Sequence, residues 1–173
     1  MALFYPTMYR RRITDVTVED LRRQGARAVL LDVDNTLTTH DAPDLDVAVR
    51  EWLNCMQAEG LQLIIVSNNS PQRVEPFACS IGLPFAAHAR KPLPTGYRAA
   101  CAALDVPLRE CIAIGDQMFT DILGANLAGI PSILLEPIQP EVEQKFIVFK
   151  RKIERVLMKN KHQRRRKEAD YGR

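Results

Sequence analysis

Residues 29–38 constrain the fold and chemistry of this chain more than any other stretch. Their sequence, VLLDVDNTLT, begins as an apolar run typical of a buried strand and passes directly into two aspartates. Asn35 and Thr36 then favour a turn. Because side chains alternate along an extended segment, Asp32 and Asp34 should point to the same side. Two carboxylates at the end of a buried strand are costly unless a cation or a substrate compensates their charge.

Two interpretations of this stretch are open. Either aspartate alone could be a helix N-cap, with Asn35 an ordinary turn residue. The string as a whole favours a reactive site, because one carboxylate could attack a phosphoryl group while the other transfers protons. A hard cation such as Mg²⁺ takes carboxylate and carbonyl oxygens and keeps several waters.

Charge is distributed unevenly along the 173 residues. The net charge is +3, but residues 28–149 hold 7 Lys/Arg against 15 Asp/Glu, and the flanks hold the other 17 against 6. We divide the chain into an N-terminal arm (1–27), an α/β domain (28–158) and a basic, flexible tail (159–173). Basic flanks suit an anionic partner, either phospholipid head groups or RNA. A solvated tail without a partner is the alternative.

The sequence predicts a cytoplasmic protein. No apolar run reaches the roughly 18 residues of a membrane-spanning helix. The first residues, MALFYP, lack the basic region and long apolar core of a secretory signal. The cysteines make no CxxC pair and are typical of small buried hydrophobes in a reducing compartment. Aromatic residues beside Arg10, Arg11 and Arg12 leave peripheral membrane association open, with ordinary packing of the arm as the alternative.

Strand-like and helix-like segments alternate along the chain, which predicts a parallel sheet with helices on both faces. This is a Rossmann-like three-layer α/β/α sandwich. Thr17 to Asp20 resemble a capping box that opens a first short helix. The predicted strands are 28–33, 61–66, 85–87, 111–114 and 131–135. The predicted helices are 18–23, 44–59, 71–81, 94–104, 120–127 and 141–159.

Polar residues follow several of these strands, and parallel strands end at one edge of a sheet, so the residues should converge on one crevice. Carboxylates for a metal, a hydroxyl and an amide for phosphate oxygens, and a lysine for negative charge make a set suited to phosphoryl transfer. Ser67 could instead be a turn residue, Lys91 a surface cation and Asp121 a helix cap. The full set is Asp32, Asp34, Ser67, Asn68, Lys91, Asp116 and Asp121.

These residues resemble the four motifs of the haloacid dehalogenase (HAD) superfamily of aspartate-nucleophile phosphatases. The motifs match DVDNT at 32–36, VSN at 66–68, KP at 91–92 and GDQMFTD at 115–121, in the right order. Together they are specific, although each alone is weak. Their local sequence is similar to the YqeG family, which is itself similar to phosphatidylglycerophosphate phosphatases.

The resemblance implies a role for each matched residue. Asp32 is the nucleophile that forms an aspartyl-phosphate, and Asp34 is the general acid and then the general base. Ser67 and Asn68 bind the phosphoryl group, while Lys91 neutralises its charge. Mg²⁺ is the implied cofactor, held by the Asp32 and Asp116 carboxylates and the Asp34 backbone carbonyl. Thr36 orients the loop, and Asp121 supports the metal site or contacts the metal.

The spacing of the motifs leaves no room for the cap domains that the superfamily inserts between them. The site should therefore be open to solvent, to a membrane or to a partner subunit of a homo-oligomer that covers it. An open site suits a lipid phosphate, and a phosphoprotein or a nucleic-acid end would also fit. A Mg²⁺-dependent phosphatase is the leading hypothesis, with phosphatidylglycerophosphate as a candidate substrate. The alternatives are a soluble metabolite phosphatase and an RNA- or ribosome-binding protein on the same fold.

Overall fold

Six parallel strands form the sheet in the part of the chain that the computed structural model describes, residues 3–39 and 45–139. The spatial order is β1-β6-β5-β2-β3-β4, so β3 and β4 lie on one side of β2, β5 and β6 lie on the other, and β1 lies at the edge beside β6. The strands are β1 (Met8–Arg10), β2 (Ala28–Leu31), β3 (Gln62–Val66), β4 (Phe85–Ala86), β5 (Cys111–Gly115) and β6 (Ser132–Leu135).

Helices cover both faces of this sheet. Side chains alternate along β2, so that Val29 and Leu31 join one apolar cluster with Trp52 while Leu30 joins another with Tyr97. Two cores on opposite faces confirm the three-layer α/β/α arrangement. The helices are α1 (Val18–Arg23), α2 (Val47–Ala58), α3 (Pro71–Ser80), α4 (Pro94–Ala103) and α5 (Leu123–Ala128), with a π-helical turn at Met118–Ile122.

The observed boundaries differ from the predicted ones where local hydrogen bonds redirect the chain. The strand predicted to reach residue 33 ends at Leu31, because the backbone N–H groups of Thr36, Leu37 and Thr38 all donate to the Val33 carbonyl. The helix predicted from residue 120 starts earlier, as the π-helical turn. The helix predicted over 44–59 instead begins at Val47, because the Asp46 side chain accepts a hydrogen bond from the Ala48 N–H as an N-cap. The predicted helix 141–159 and the tail 159–173 lie outside the described residues.

A strand that the sequence analysis did not predict lies in the segment 1–27. β1 pairs in parallel with β6 at one edge of the sheet. Val16 and Leu21, between β1 and β2, are fully buried. The Trp52 indole N–H donates to the Val16 carbonyl at 2.7 Å. The described part of this segment therefore belongs to the sheet and its core.

No cap domain interrupts the described residues. Among them, only α2 and β3 separate Thr36 from Ser67, and only α3 and β4 separate Ser70 from Lys91. None of the described helices combines the length and apolar character needed to cross a bilayer.

The predicted capping box of α1 is present. The Asp20 backbone N–H donates to Thr17 Oγ1, and the Thr17 N–H donates back to the Asp20 carboxylate. Arg10, at the end of β1, donates to both Asp20 oxygens at 3.2 and 2.7 Å. Burial acts to raise the pKa of Asp20, but these hydrogen bonds outweigh it and hold that pKa below its usual value. Asp20 thus ties α1 to the edge strand.

Replacing this carboxylate should weaken the fold in a pH-dependent way. We expect Asp20→Ala to lower the free energy of unfolding by about 1–2 kcal/mol at neutral pH. Because the folded-state pKa is depressed, the contribution is present above about pH 4 and is lost as the pH falls through the folded-state value. Urea denaturation at several pH values measures it. The control Glu19→Ala removes an exposed charge from the same turn and should cost less than about 0.5 kcal/mol; an equal loss in both variants would contradict the prediction.

Candidate active site

The predicted site residues collect at the carboxyl edge of the sheet. Asp32 follows β2, Ser67 follows β3 and Asp116 follows β5. β3 and β5 lie on opposite sides of β2, so the chain reverses its direction of winding here. Open α/β sheets bind ligands in the crevice at such a switch point.

Lys91 is a buried cation between two carboxylates. Its Nζ lies 2.5 Å from Asp32 Oδ1 and 2.6 Å from Asp121 Oδ1. Only 4% of the lysine side chain is exposed. Asn68 fixes the lysine backbone, because its Oδ1 accepts from the Lys91 N–H at 2.6 Å and its Nδ2 donates to the Lys91 carbonyl at 3.0 Å. Lys91 is therefore not a surface cation.

A third carboxylate completes the cluster. Ligand atoms of Asp32, Asp116 and Asp121 all lie within 4.8 Å of one another. The Thr36 hydroxyl lies 3.4 Å from both Asp32 Oδ2 and Asp116 Oδ1. Three carboxylates against one ammonium leave an excess of negative charge in a mostly buried place. This set of hard oxygen donors fits a divalent cation.

The charge balance perturbs the ionisation of the cluster. Burial, with the nearby Asp121 carboxylate, raises the pKa of Asp32 to about 7 against the opposing effect of Lys91. Burial alone would lower the pKa of Lys91, but Asp121 and Asp32 raise it well above its usual value. Lys91 therefore stays charged. The ionised form of Asp32 is stabilised when a further positive charge approaches it.

Asp121 is held from several directions. Its Oδ2 accepts from the Gln117 backbone N–H at 3.0 Å, and its carbonyl accepts from the Tyr97 hydroxyl at 3.0 Å. A Cβ on Gly115 would overlap the Asp121 carboxylate, which explains the glycine at the end of β5. Asp121 thus caps its own helical turn, Met118–Ile122, by accepting from the N–H of the preceding residue, Gln117. It also holds the Lys91 ammonium in place.

Asp34 is not part of the three-carboxylate cluster. Its Oδ2 accepts from Asn69 Nδ2 at 2.6 Å, and its Oδ1 accepts from Arg73 Nη2 at 3.1 Å. The alternation that would place Asp32 and Asp34 together applies to an extended strand, and β2 ends before either of them. Asn69 and Arg73 were not among the candidates from sequence, although α3 was predicted to start beside them.

Ser67 lies at the bottom of the crevice. Its side chain is buried, and its Oγ accepts from the Asn69 backbone N–H at 3.1 Å. Its own N–H donates to the Ala86 carbonyl, and its carbonyl accepts from the Ala89 N–H, so β4 fixes its position. Ser67 therefore joins the Asp34 side of the crevice to the segment that carries Lys91.

A buried carboxylate–lysine cluster at the switch point of a parallel sheet has the functional groups that enzymatic phosphoryl transfer needs. Comparison with known proteins agrees. Residues 88–136 match the HAD-hydrolase-like family. The probable phosphatase YqeG of Bacillus subtilis is 34% identical over 156 residues, covering 90% of each chain. The chain therefore belongs to the HAD-family phosphatases that include YqeG.

Two further similarities extend this comparison. Phosphatidylglycerophosphate phosphatase 1 of Chlamydomonas reinhardtii, described as chloroplastic, is 27% identical over 143 residues. The match covers 78% of this chain and 53% of that relative, so the chain spans about half its length. A HAD-superfamily hydrolase of Ehrlichia chaffeensis shares the fold with a TM-score of 0.53 and 18% identity, covering 64% of this chain and 90% of that one.

Proposed function

We propose that this phosphatase hydrolyses a phosphate monoester through an aspartyl-phosphate on Asp32, with Mg²⁺ as cofactor. The observation that carries the proposal is the contact of Asp32 with the buried Lys91 beside Asp116 and Asp121. In the first step an Asp32 carboxylate oxygen forms a bond to phosphorus. The bond from phosphorus to the ester oxygen breaks, and Asp34 gives its proton to the departing alcohol.

In the second step water attacks the phosphorus of the aspartyl-phosphate. Asp34, now a carboxylate, takes a proton from the water. The bond between phosphorus and the Asp32 oxygen breaks, which releases phosphate and restores both side chains. Asp34 is partly exposed, at 27% of its side chain, so that a departing alcohol and an entering water can reach it.

The other residues orient the reacting groups and balance their charge. Lys91 faces the nucleophile and neutralises the phosphoryl oxygens, and Asp121 fixes its ammonium. The Ser67 hydroxyl and Asn68 are the proposed phosphate-binding groups. The Asn68 side chain already hydrogen bonds both the N–H and the carbonyl of Lys91, which supports a role in positioning that lysine. Thr36 orients the Asp32 and Asp116 carboxylates through its hydroxyl.

Mg²⁺ fits the excess negative charge of the cluster. We assign it to the Asp32 and Asp116 carboxylates and the Asp34 backbone carbonyl, with Asp121 as the nearby alternative. When bound, the cation supplies Lewis-acid stabilisation of phosphoryl charge. Both Asp121 oxygens accept hydrogen bonds, from Lys91 and from the Gln117 N–H, which supports a role for Asp121 in positioning Lys91.

Removal of the metal should abolish turnover. We expect phosphate release from p-nitrophenyl phosphate to fall at least about 10³-fold in EDTA and to return with Mg²⁺, because the excess carboxylate charge otherwise repels the substrate. A colorimetric phosphate assay measures this, with Ca²⁺ as a control cation of different preferred geometry. Undiminished activity in EDTA would contradict the assignment of the metal.

For the substrate we propose phosphatidylglycerophosphate at an anionic membrane surface. The names of the curated relatives, the absence of a cap in the described residues and the basic flanks of the sequence support it. Cytoplasmic location with peripheral membrane binding is the matching proposal. A soluble metabolite phosphatase is the second candidate, favoured by a site that needs no lipid for its chemistry.

Three measurements test these proposals. Co-sedimentation with vesicles containing phosphatidylglycerol supports the lipid substrate, and its absence favours a soluble metabolite. Deletion of residues 159–173 that leaves RNA affinity unchanged removes the case for RNA binding through the basic tail. Sedimentation velocity tests the proposal that a second copy covers the open site.

A further inference from the structure

A cleft of about 340 Å³ opens beside Asp34 and extends beyond the proposed site of phosphoryl transfer. Asp34 and Ser67 line it and also belong to the active site. One wall is the face of α3 that carries Arg73, Val74 and Phe77. Thr38 and Thr39, in the turn after β2, also line the cleft. The cleft is thus continuous with the place where the ester bond breaks.

The position of Asp34 sets the direction in which the alcohol leaves. A general acid must reach the ester oxygen, so the departing alcohol lies on the Asp34 side of the phosphorus. Asn69 and Arg73, which donate hydrogen bonds to the Asp34 carboxylate, both line the cleft. The alcohol part of the substrate therefore extends into this cleft, on the assumption that Asp34 acts as proposed above.

Arg73 gives the cleft a specific chemical character. Among the described residues, the charged side chains that line it are Asp34 and Arg73. The Arg73 side chain is 40% exposed, so its guanidinium can be reached from the cleft. A guanidinium presents a rigid planar fork of donors that matches the oxygens of a phosphate or a phosphodiester. A second anion on the alcohol would meet this cation.

Size limits what the cleft can enclose. Its volume is near the lower end for small-molecule sites, enough for a short polyol with one phosphodiester and too small for two acyl chains. Hydroxyls of Thr38, Thr39 and Ser80 suit a polyol, while Val74 and Phe77 suit its carbon skeleton. Any acyl chains must remain outside.

We propose that Arg73 is a specificity-determining residue that binds a second phosphate, in phosphodiester linkage, on the leaving alcohol. The substrate class is a phosphate monoester of a short polyol whose other end carries the phosphodiester. This inference rests on the proposed function, since it uses Asp32 as nucleophile and Asp34 as acid. It applies equally to a lipid head group and to a soluble phosphodiester.

The test compares two substrates that differ in the second anion. Glycerol 3-phosphate releases a neutral alcohol, whereas glycerophosphoglycerophosphate releases one with a phosphodiester. We expect wild-type protein with Mg²⁺ to prefer the second in kcat/KM by about 10- to 100-fold, because a charge-assisted contact is lost with the first. Arg73→Met should bring this preference close to unity, mainly through KM. Arg73→Lys should retain part of it.

The matched control is Arg98→Met on α4. Arg98 is exposed on the helix that packs against the other face of the sheet, and its loss should leave the preference unchanged. Equal losses of kcat/KM for both substrates in Arg73→Met would overturn the proposal, because Arg73 would then only hold Asp34. No hydrolysis of any monoester by wild-type protein would instead overturn the proposed function.

Binding of the product gives a readout that does not depend on catalysis by Asp34. Glycerophosphoglycerol should inhibit wild-type hydrolysis of glycerol 3-phosphate competitively, and Arg73→Met should weaken this inhibition about 10-fold or more. Phosphatidylglycerophosphate in vesicles repeats the comparison for the lipid source. A preference that depends on Arg73 with either source supports the proposal, and independence from Arg73 with both overturns it.

Discussion

Asp32→Asn should abolish phosphate release while leaving the fold as stable as the wild-type fold or more so. The amide cannot attack phosphorus, so no aspartyl-phosphate forms, and we expect kcat to fall about 10³-fold or more. The substituted side chain keeps its shape beside Lys91, and the ammonium retains its bond to Asp121. A fixed-time phosphate assay and thermal unfolding measure the two effects on the same preparation.

The stability of this variant should depend on pH in metal-free buffer. Because the folded-state pKa of Asp32 is raised to about 7, its ionisation weakens the wild-type fold progressively as the pH rises from about 4 to about 7. Asn cannot ionise, so the advantage of Asp32→Asn should be larger at pH 8 than at pH 5. Asp105→Asn, an exposed change of the same kind after α4, is the control. Phosphatase activity that survives in Asp32→Asn would disprove the nucleophile.

Lys91→Met should abolish activity and destabilise the fold together. Methionine fills a similar volume but leaves Asp32, Asp116 and Asp121 without their buried counter-charge. Removing one partner of a buried ion pair typically costs about 3–5 kcal/mol, and we expect a loss of that order in the free energy of unfolding. Activity should fall at least about 10²-fold, because the phosphoryl charge is no longer neutralised.

A double variant separates charge from packing. If the cost in Lys91→Met arises from uncompensated carboxylates, Asp32→Asn introduced into it should restore part of the stability. Mg²⁺ should also stabilise Lys91→Met more than it stabilises the wild-type protein, since the cation supplies some of the missing charge. Strictly additive unfolding free energies and no metal effect would instead point to lost packing. Urea denaturation of the four proteins with and without Mg²⁺ decides between these outcomes.

The sheet could be predicted from sequence because its inner strands are buried on both faces. β2, β3 and β5 read as continuous apolar runs, and the polar residues after them had to meet at one edge. That rule predicted that Lys91 lies near Asp32, although 59 positions separate them in sequence. It needs only strand order and direction, not side-chain detail.

Two features could not be predicted by the same reasoning. β1 has three residues and no apolar pattern, and its pairing depends on the backbone edge that β6 offers. The contact of Asp34 with Asn69 and Arg73 depends on how side chains turn after β2 has ended, where alternation no longer applies. Periodicity describes regular elements, whereas these contacts are set by tertiary packing.

The pairing of β1 with β6 also bears on how the protein is made. Ser132 and Thr7 hydrogen bond across 125 positions, so β1 is synthesised long before β6, its partner in the described sheet. Contacts between segments so distant in sequence close late and slow folding. During synthesis the backbone edge of β1 has no strand partner in this sheet and is open to other chains. The nascent chain is therefore exposed to misassembly at β1, far in sequence from most of the proposed catalytic residues.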